Sequence, residues 1–407
     1  MRRSIKTTYL TLLTLNTLSA SFIWGINTLF LLDAGLNNTE AFSANAFFTA
    51  GMMFFEIPTG MVADIWGRKI SYLLGVVTLT ATTFLYLWLW YIHASFWPWA
   101  IVSIFLGLGF TFFSGAFEAW LVDALTSSGL QETLEEVFAK AQIVQGIAMF
   151  IGSVAGGVVA QLTNLGVPYI LRIVIFIITF VYALVFMKDI GFTPLSGQEV
   201  VKVAKKVLKN SLKYGLGMRP IRWMMCAAFF TSGVMIYAFY AMQPYLLKLY
   251  GNPKAYSIAG IAAAIIAASQ IVGGYLAPHI KKTFKLRTPA MFTAIFFGAV
   301  SLALIGLSPT FWSVIVFLVL FGLLYAGITP MRQLYINHLI PSEQRATILS
   351  FDSLMGSSGA VVLQPMLGRA ADVWNYSVSY VVSGCFQILA LPFIWLAYKE
   401  KAPSDSF

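Results

Sequence analysis

The chain has 407 residues, 59% of them hydrophobic and 10% charged, with a net charge of +10 and a mean hydropathy of +0.79. No soluble core could hide so much apolar surface, so lipid has to be the solvent. The bases lie between apolar runs rather than in a patch, which excludes nucleic acid as the partner they serve.

Apolar runs of about 20 residues, each able to cross a hydrocarbon layer of roughly 30 Å as a helix, occur twelve times along the chain. Span 1 covers residues 8–32 and carries Asn16 and Asn27. Arg2, Arg3 and Lys6 precede it. It is longer than the apolar core of a signal peptide, and its removal would leave an odd number of spans, so it reads as a helix of the protein. Span 2, residues 41–63, ends in "EIPTGMVADIWGRK", Glu56 to Lys69, which crowds charge together at the end of an apolar run. Gly60 permits close approach of a second helix, and Gly67 permits a tight turn. Asp64 falls at a helix end, where it can accept hydrogen bonds from a neighbouring helix N-terminus and from a guanidinium.

Span 3 covers 70–93 and span 4 covers 96–122. Trp88, Trp90, Trp97 and Trp99 sit at their shared outer edge, as an interfacial aromatic belt would. Span 4 carries Glu118 about one turn before Asp123, and spans 2 and 4 run in the same direction, so Glu56 and Glu118 reach similar depth. An ionisable group in that setting costs roughly 2.5 to 3.5 kcal/mol on insertion scales and is a functional candidate. Desolvation favours the protonated form of a carboxyl, so either glutamate can serve as a proton carrier. For Glu118 a coupling or substrate role stands beside a helix-locking one, and for Glu56 the alternative is a place in the loop apparatus. Span 5, 136–161, has Gln145 and a glycine series, Gly146, Gly152, Gly156 and Gly157, suited to packing against span 8. Span 6, 167–187, holds Arg172 near its outer end, which suits a structural role.

A polar segment from Lys188 to Met218 follows. It divides the chain into a first six-span bundle (1–188), a linker (189–218) and a second six-span bundle (219–407). Within it, Val200, Val203, Val207, Leu208 and Leu212 share one helical face and Lys202, Lys205, Lys206, Lys209 and Lys213 lie mostly on the other. That pattern fits an interfacial helix on anionic headgroups, with a solvated charged linker as the alternative.

The second half has spans at 220–248, 256–279, 288–307, 310–337, 347–371 and 377–398. Tyr237, Tyr240 and Gln243 on span 7, Gln270 on span 8 and Gln364 on span 11 join Asn27 and Gln145 as candidates to line a path, though amides also bridge helices as packing groups. Arg332 on span 10 and Asp352 on span 11 are placed to pair, as a structural ion pair or a transport site. Lys281, Lys282, Lys285 and Arg287 after span 8, Arg345 after span 10, and Lys399 and Lys401 after span 12 all fall on the side of the N-terminal bases, with Lys248 and Lys254 as exceptions. Both termini are therefore expected to be cytoplasmic. Cys226 and Cys385 lie in different spans, and His93, His279 and His338 have no ligand spacing, so neither a disulfide nor a metal site is expected. A weak internal repeat sets "GYLAPHIKKTFKLR" (274–287) where "GMVADIWGRK" (60–69) stands in the first half.

Gly60, Asp64, Gly67, Arg68 and Lys69 match the loop signature G-x-x-x-D-x-x-G-R-[KR] between the second and third helices of the major facilitator superfamily, and the resemblance extends over essentially the whole chain. It implies an all-α integral membrane protein, twelve transmembrane helices in two pseudo-symmetric six-helix bundles, multi-pass in the plasma membrane. It also implies alternating access, with no cofactor and no enzymatic activity. In the resembled family the motif aspartate meets the start of the eleventh helix, here near Ala346, and the arginine engages an acid ending the fourth, for which Asp123 is the match. Such a cluster would close the cytoplasmic side. The chain departs from the proton-driven exporters of that superfamily: span 4 has no base, and the glycine series of span 5 has no proline.

The expectation is a secondary active transporter, by first reading a proton-coupled efflux carrier for amphipathic or lipophilic small molecules, suggested by apolar, aromatic-rich spans with few charges. The alternative is an uptake or exchange carrier for a polar or anionic solute, with Arg332 as an anion partner. A lipid flippase or a receptor without transport is a third class. The expected partners are a small-molecule substrate, protons and membrane lipids, with the chain acting as a monomer. No nucleotide-binding loop of the G-x-x-x-x-G-K-[ST] type is present.

Overall fold

A computed structural model describes residues 2–128, 134–194, 216–340 and 345–407. The helix expected over 200–213 lies outside them. The described residues are helical throughout, apart from turns and one isolated bridge between Leu286 and Ser406. Span 1 consists of Arg2–Trp24 and Asn27–Asp33, bent by 48° at the break. Spans 2 and 3 are Asn38–Trp66 and Arg68–Tyr91, and span 4 is Phe96–Thr111 followed by Ala116–Ser127. Spans 5 to 8 are Leu134–Leu162, Val167–Phe186, Arg219–Tyr250 and Tyr256–Leu276. Spans 9 to 11 are Arg287–Leu307, Phe311–Asn337 and Arg345–Val373, and span 12 is Tyr376–Ile388 with Leu391–Lys399.

Among the described residues ten helices are long and apolar enough to cross a membrane, or eleven with the bent first pair. Span 11 has the length, but Arg345, Asp352, Gln364, Arg369 and Asp372 dilute its apolar character. A helix with that content needs protein rather than lipid around its polar face.

The chain forms two compact units. The first comprises Met1–Leu36, Phe47–Ala204 and Lys254–Ala264, the second Asn37–Ala46, Lys205–Pro253 and Ile265–Phe407. In the first, span 1 packs on spans 5 and 6, and span 3 on spans 4 and 6. The second repeats the scheme six spans later: span 7 packs on spans 11 and 12, and span 9 on spans 10 and 12. The repeat extends to the closest approaches. A side chain on Gly156 of span 5 would strike the carbonyl of Phe22 on span 1, and one on Gly359 of span 11 would strike the carbonyl of Phe229 on span 7. Gly156→Ala is therefore expected to cost about 1 to 3 kcal/mol by forcing spans 1 and 5 apart, measured as a lowered thermal midpoint of the purified protein. The glycine series of span 5 is divided between two neighbours: Gly152 and Gly156 face span 1, and Gly157 faces Tyr256 and Gly260 at the start of span 8.

Each unit has its own apolar core. In the first, Tyr9, Leu12, Tyr72, Val76, Leu79, Phe117 and Trp120 are buried together. In the second, Met224, Met225, Met291, Ile295, Met331 and Tyr335 play that part. Of the four tryptophans expected at the outer edge, Trp88 and Trp97 are exposed, as a belt requires. Trp99 turns fully inward, its indole donating to the Ala94 carbonyl at 3.2 Å beside Phe30 and Tyr86, and Trp90 donates to Asp33 at 2.8 Å. Arg172 is buried under the rings of Phe110 and Phe176, in keeping with a structural role.

The segment Pro403–Phe407 folds back on the start of span 9. Asp405 accepts from the backbone N–H of Thr288 at 2.7 Å and from its hydroxyl at 2.6 Å, and the Arg287 guanidinium donates to the carbonyls of Ser404 and Ser406. A base counted as a topology marker thus also anchors the tail. Asp405→Ala is expected to lower the stability of the second unit by about 1 to 2 kcal/mol through loss of this cap, read as a thermal shift in detergent.

Candidate functional site

The loop between spans 2 and 3 is one residue long. Gly67 links Trp66 to Arg68 at φ 109°, a conformation that disfavours any side chain. A Cβ at that point would also lie 2.5 Å from an Asp189 carboxylate oxygen. The turn sets Arg68 one helical turn from Asp64, with Nη1 to Oδ1 at 2.6 Å, and brings its Nε within 3.7 Å of Asp123 Oδ2. The expected trio of Asp64, Arg68 and Asp123 is assembled within the first unit. The guanidinium also lies 5.8 Å from the ring of Phe192. Residues 341–344, just before span 11, and the side chain of Ala346, where the contact with the start of that span is expected, lie outside the described residues. Apart from its own stretch of helix, no described atom comes within 4 Å of the Cβ position of Gly60, so the described residues do not show the close approach of a second helix expected there.

Asp189 completes the cluster and was not singled out from sequence; the only signal was an acid just beyond the end of span 6. It accepts from the Lys69 backbone N–H at 2.9 Å, while Lys69 Nζ donates at 2.7 Å to the carbonyl of Leu184, near the end of that span. Lys69 thus serves as a cap on the C-terminal end of span 6. Burial pushes the Asp189 carboxyl above the usual carboxylate range, opposed by the Lys69 amide and by the charges of Lys69 and Arg68.

Deeper in the same unit, span 4 is discontinuous. Its two helices meet at Phe112–Gly115, with Gly115 at φ 69°, and sequence reading missed this because the break sits inside an apolar run. A broken helix leaves carbonyls without intrahelical partners, and in a membrane these must find others. They do in part. Ser71 Oγ of span 3 donates to the Phe112 carbonyl at 2.9 Å, and the Thr59 hydroxyl of span 2 shares its one proton between the Thr111 carbonyl at 3.2 Å and the Phe55 carbonyl of its own helix at 2.8 Å. Ser114, within the break, donates to Glu56 Oε1 at 2.7 Å. Glu118 lies in the first turn after the break, exposed, next to Phe117, whose ring stacks on Tyr9 of span 1. The structure therefore ties Glu56 to the break directly and leaves Glu118 beside it.

In the second unit Arg332 Nη2 is 3.2 Å from Asp352 Oδ2, so the expected pair is formed. Asp352 is 3% exposed. Arg332 Nε and Nη1 and Asp352 Oδ1 find no hydrogen-bond partner among the described residues. The remaining candidates are dispersed. Tyr237 is fully buried and hydrogen-bonds Ser379 of span 12, with Phe42 and Tyr380 around its ring. Gln243 is fully buried, and Gln364 donates to the Ala360 carbonyl at 3.1 Å while its Oε1 has no described partner. In the first unit Asn27 accepts from the Tyr169 hydroxyl at 3.0 Å. Tyr240 and Gln270 are half-buried and Gln145 is exposed.

Bundles built twice on one packing scheme, with carboxylates and an ion pair set inside apolar spans, define a multi-pass membrane transporter rather than an enzyme. The chain belongs to the Major Facilitator Superfamily, whose sequence model matches residues 9–288 and 284–407. It is 24% identical over 359 residues to the uncharacterized MFS-type transporter YxaM of Bacillus subtilis (strain 168), covering 86% of this chain and 85% of that one. Its fold is similar to that of the nucleoside transporter NupG (TM-score 0.77, 11% identity, 97% of this chain and 99% of that chain). It is similar too to a POT family transporter in complex with 5-aminolevulinic acid (TM-score 0.69, 14% identity, 97% and 96%) and to a D-xylose-proton symporter (TM-score 0.66, 16% identity, 96% and 96%).

Proposed function

We propose that the protein is a proton-coupled carrier working by alternating access, with Glu118 as the proton-carrying group and Glu56 holding the break beside it. The observation that carries this is the discontinuous span 4. Its freed carbonyls are supplied by spans 2 and 3, and two membrane-embedded carboxylates converge on the gap. The cargo read from the apolar, aromatic-rich spans is an amphipathic or lipophilic small molecule, moved outward, with both termini cytoplasmic. A second reading, uptake of a polar or anionic solute, is favoured by the buried Arg332–Asp352 pair, whose unfilled hydrogen-bonding positions could meet a solute. Likeness to a D-xylose-proton symporter and a nucleoside transporter points in the same direction. Purified protein in liposomes, given pH gradients of either sign and a panel of lipophilic cations, nucleosides, sugars and peptides, tests both. Gradient-dependent movement of the cations alone supports efflux, movement of a polar solute alone supports the second reading, and gradient-independent movement of any of them overturns proton coupling.

A further inference from the structure

The G-x-x-x-D element of the first loop occurs a second time, at a place the internal repeat does not assign to it. Gly368 and Asp372, in "GRAAD", stand at the end of span 11 as Gly60 and Asp64 stand at the end of span 2. The second copy is engaged. A Cβ on Gly368 would lie 2.9 Å from the ring of Phe42 and 3.0 Å from the carbonyl of Asn38, so the glycine admits the first turn of span 2 against span 11. One turn on, Asp372 caps that helix. Its Oδ1 accepts from the backbone N–H of Asn38 at 3.0 Å and from the Asn38 side-chain amide at 2.8 Å, and its Oδ2 accepts from the backbone N–H of Thr39 at 2.7 Å and from the Thr39 hydroxyl. Tyr376 adds a hydrogen bond from its hydroxyl to the Asn38 amide oxygen.

The first turn of span 2 also closes a capping box of its own, with the Glu40 N–H donating to Asn37 at 2.9 Å and the Asn37 N–H to Glu40 at 3.0 Å. The two amides that the box leaves over, those of Asn38 and Thr39, are the ones Asp372 takes. A carboxylate at the positive end of a helix, accepting two backbone N–H groups, is a strong interaction of low geometric tolerance. The capped residues, Asn37–Ala46, group with the second unit, while the same helix continues from Phe47 into the first.

We infer that Gly368 and Asp372 form a second latch, acting at the end of span 2 opposite Asp64. Span 2 then carries the acid of one latch at its C-terminus and receives the acid of the other at its N-terminus. With Asp372 bound, the start of span 2 stays with the second unit, and release of the cap is required for that end of the protein to open. The inference rests on the alternating-access reading alone, since neither a proton nor a particular solute enters it.

The test needs no substrate and no gradient. Nitroxide labels at Ser95→Cys and Pro309→Cys, in the loops after spans 3 and 9, with Cys226 and Cys385 replaced by Ser, give a distance distribution by double electron–electron resonance in nanodiscs. Asp372→Asn is expected to shift the ratio of wide to narrow distances about five- to thirtyfold toward wide, the equivalent of a lost cap. Asp64→Asn is expected to shift it the other way. The pair Asn38→Ala with Thr39→Val, which removes the side-chain donors and keeps both backbone N–H groups, is expected to give a smaller shift in the same direction as Asp372→Asn, and serves if that variant does not fold. A distribution unchanged by these variants in folded protein, or moved the same way by Asp64→Asn and Asp372→Asn, overturns the latch. It would leave the proton-coupled reading untouched.

Discussion

Glu118→Gln is expected to reduce gradient-driven solute movement at least about tenfold while leaving solute-for-solute exchange near the parent rate. The glutamine is nearly isosteric, so the helix Ala116–Ser127, its contacts with span 1 and the packing of Phe117 and Trp120 are retained. It cannot take up and release a proton. A cycle that returns the proton across the membrane is therefore blocked, whereas exchange, which never needs the empty carrier to reorient, continues. Glu56→Gln is the internal control. Its amide oxygen can still accept from Ser114, so the break in span 4 remains held and the expected loss is smaller. Equal and complete loss of both activities in Glu118→Gln would mark the residue as a packing element. An unaltered gradient response would remove it from the coupling path.

Removing one partner of the Arg332–Asp352 pair is expected to be the most destabilising single change in the second unit. Asp352 is nearly inaccessible, and its partner guanidinium is 14% exposed. Arg332→Ala would leave a carboxylate stranded beside apolar spans, at a cost of about 3 to 5 kcal/mol, and Asp352→Ala would strand the guanidinium at comparable cost. Replacing both, Arg332→Met with Asp352→Leu, restores volume and removes both desolvation costs, so most of the loss is expected to be recovered. Thermal unfolding of the three variants in one detergent checks the pattern. Additive losses in the double variant would mean that the two groups act separately. If the double variant is stable but does not transport, the pair serves the cargo as well as the bundle.

The parts of this arrangement that were legible in sequence are those encoded locally or by a length rule. A membrane span is written as about 20 apolar residues. In the Gly60–Lys69 stretch the tight turn at Gly67 follows from the residue type, and the grouping of Asp64 with Arg68 and Asp123 is what the family resemblance implies. Arg332 and Asp352 could be paired on paper because antiparallel consecutive spans place them at matching depth. What escaped were features decided by a neighbour. Gly115 looks like any small residue in an apolar run until Thr59 and Ser71, some forty to fifty positions away, are seen to supply the hydrogen bonds that a break requires. Asp189 looks like a linker acid until the Lys69 amide faces it. Trp99 has the composition of a belt residue, and its rotation toward Phe30 and Tyr86 is set by the face of span 4 on which it falls. Tyr237 and Gln243 have the polarity of path-lining residues, yet both are fully buried, Tyr237 hydrogen-bonded to Ser379 and packed against Phe42.

The hydroxyls that serve the broken span have a mechanical consequence. Ser71 of span 3 grips the Phe112 carbonyl at the start of the gap, Thr59 of span 2 approaches the Thr111 carbonyl just before it, and Ser114 within it holds Glu56. A helix interruption left unsupported would act as a hinge, with the two pieces free to swing. Braced at Phe112 and Ser114 by spans 3 and 2 and, beyond the gap, at Asp123 by Arg68, this one is held on both sides, so the acid at position 118 should travel with spans 2, 3 and 4 as a single block through the transport cycle.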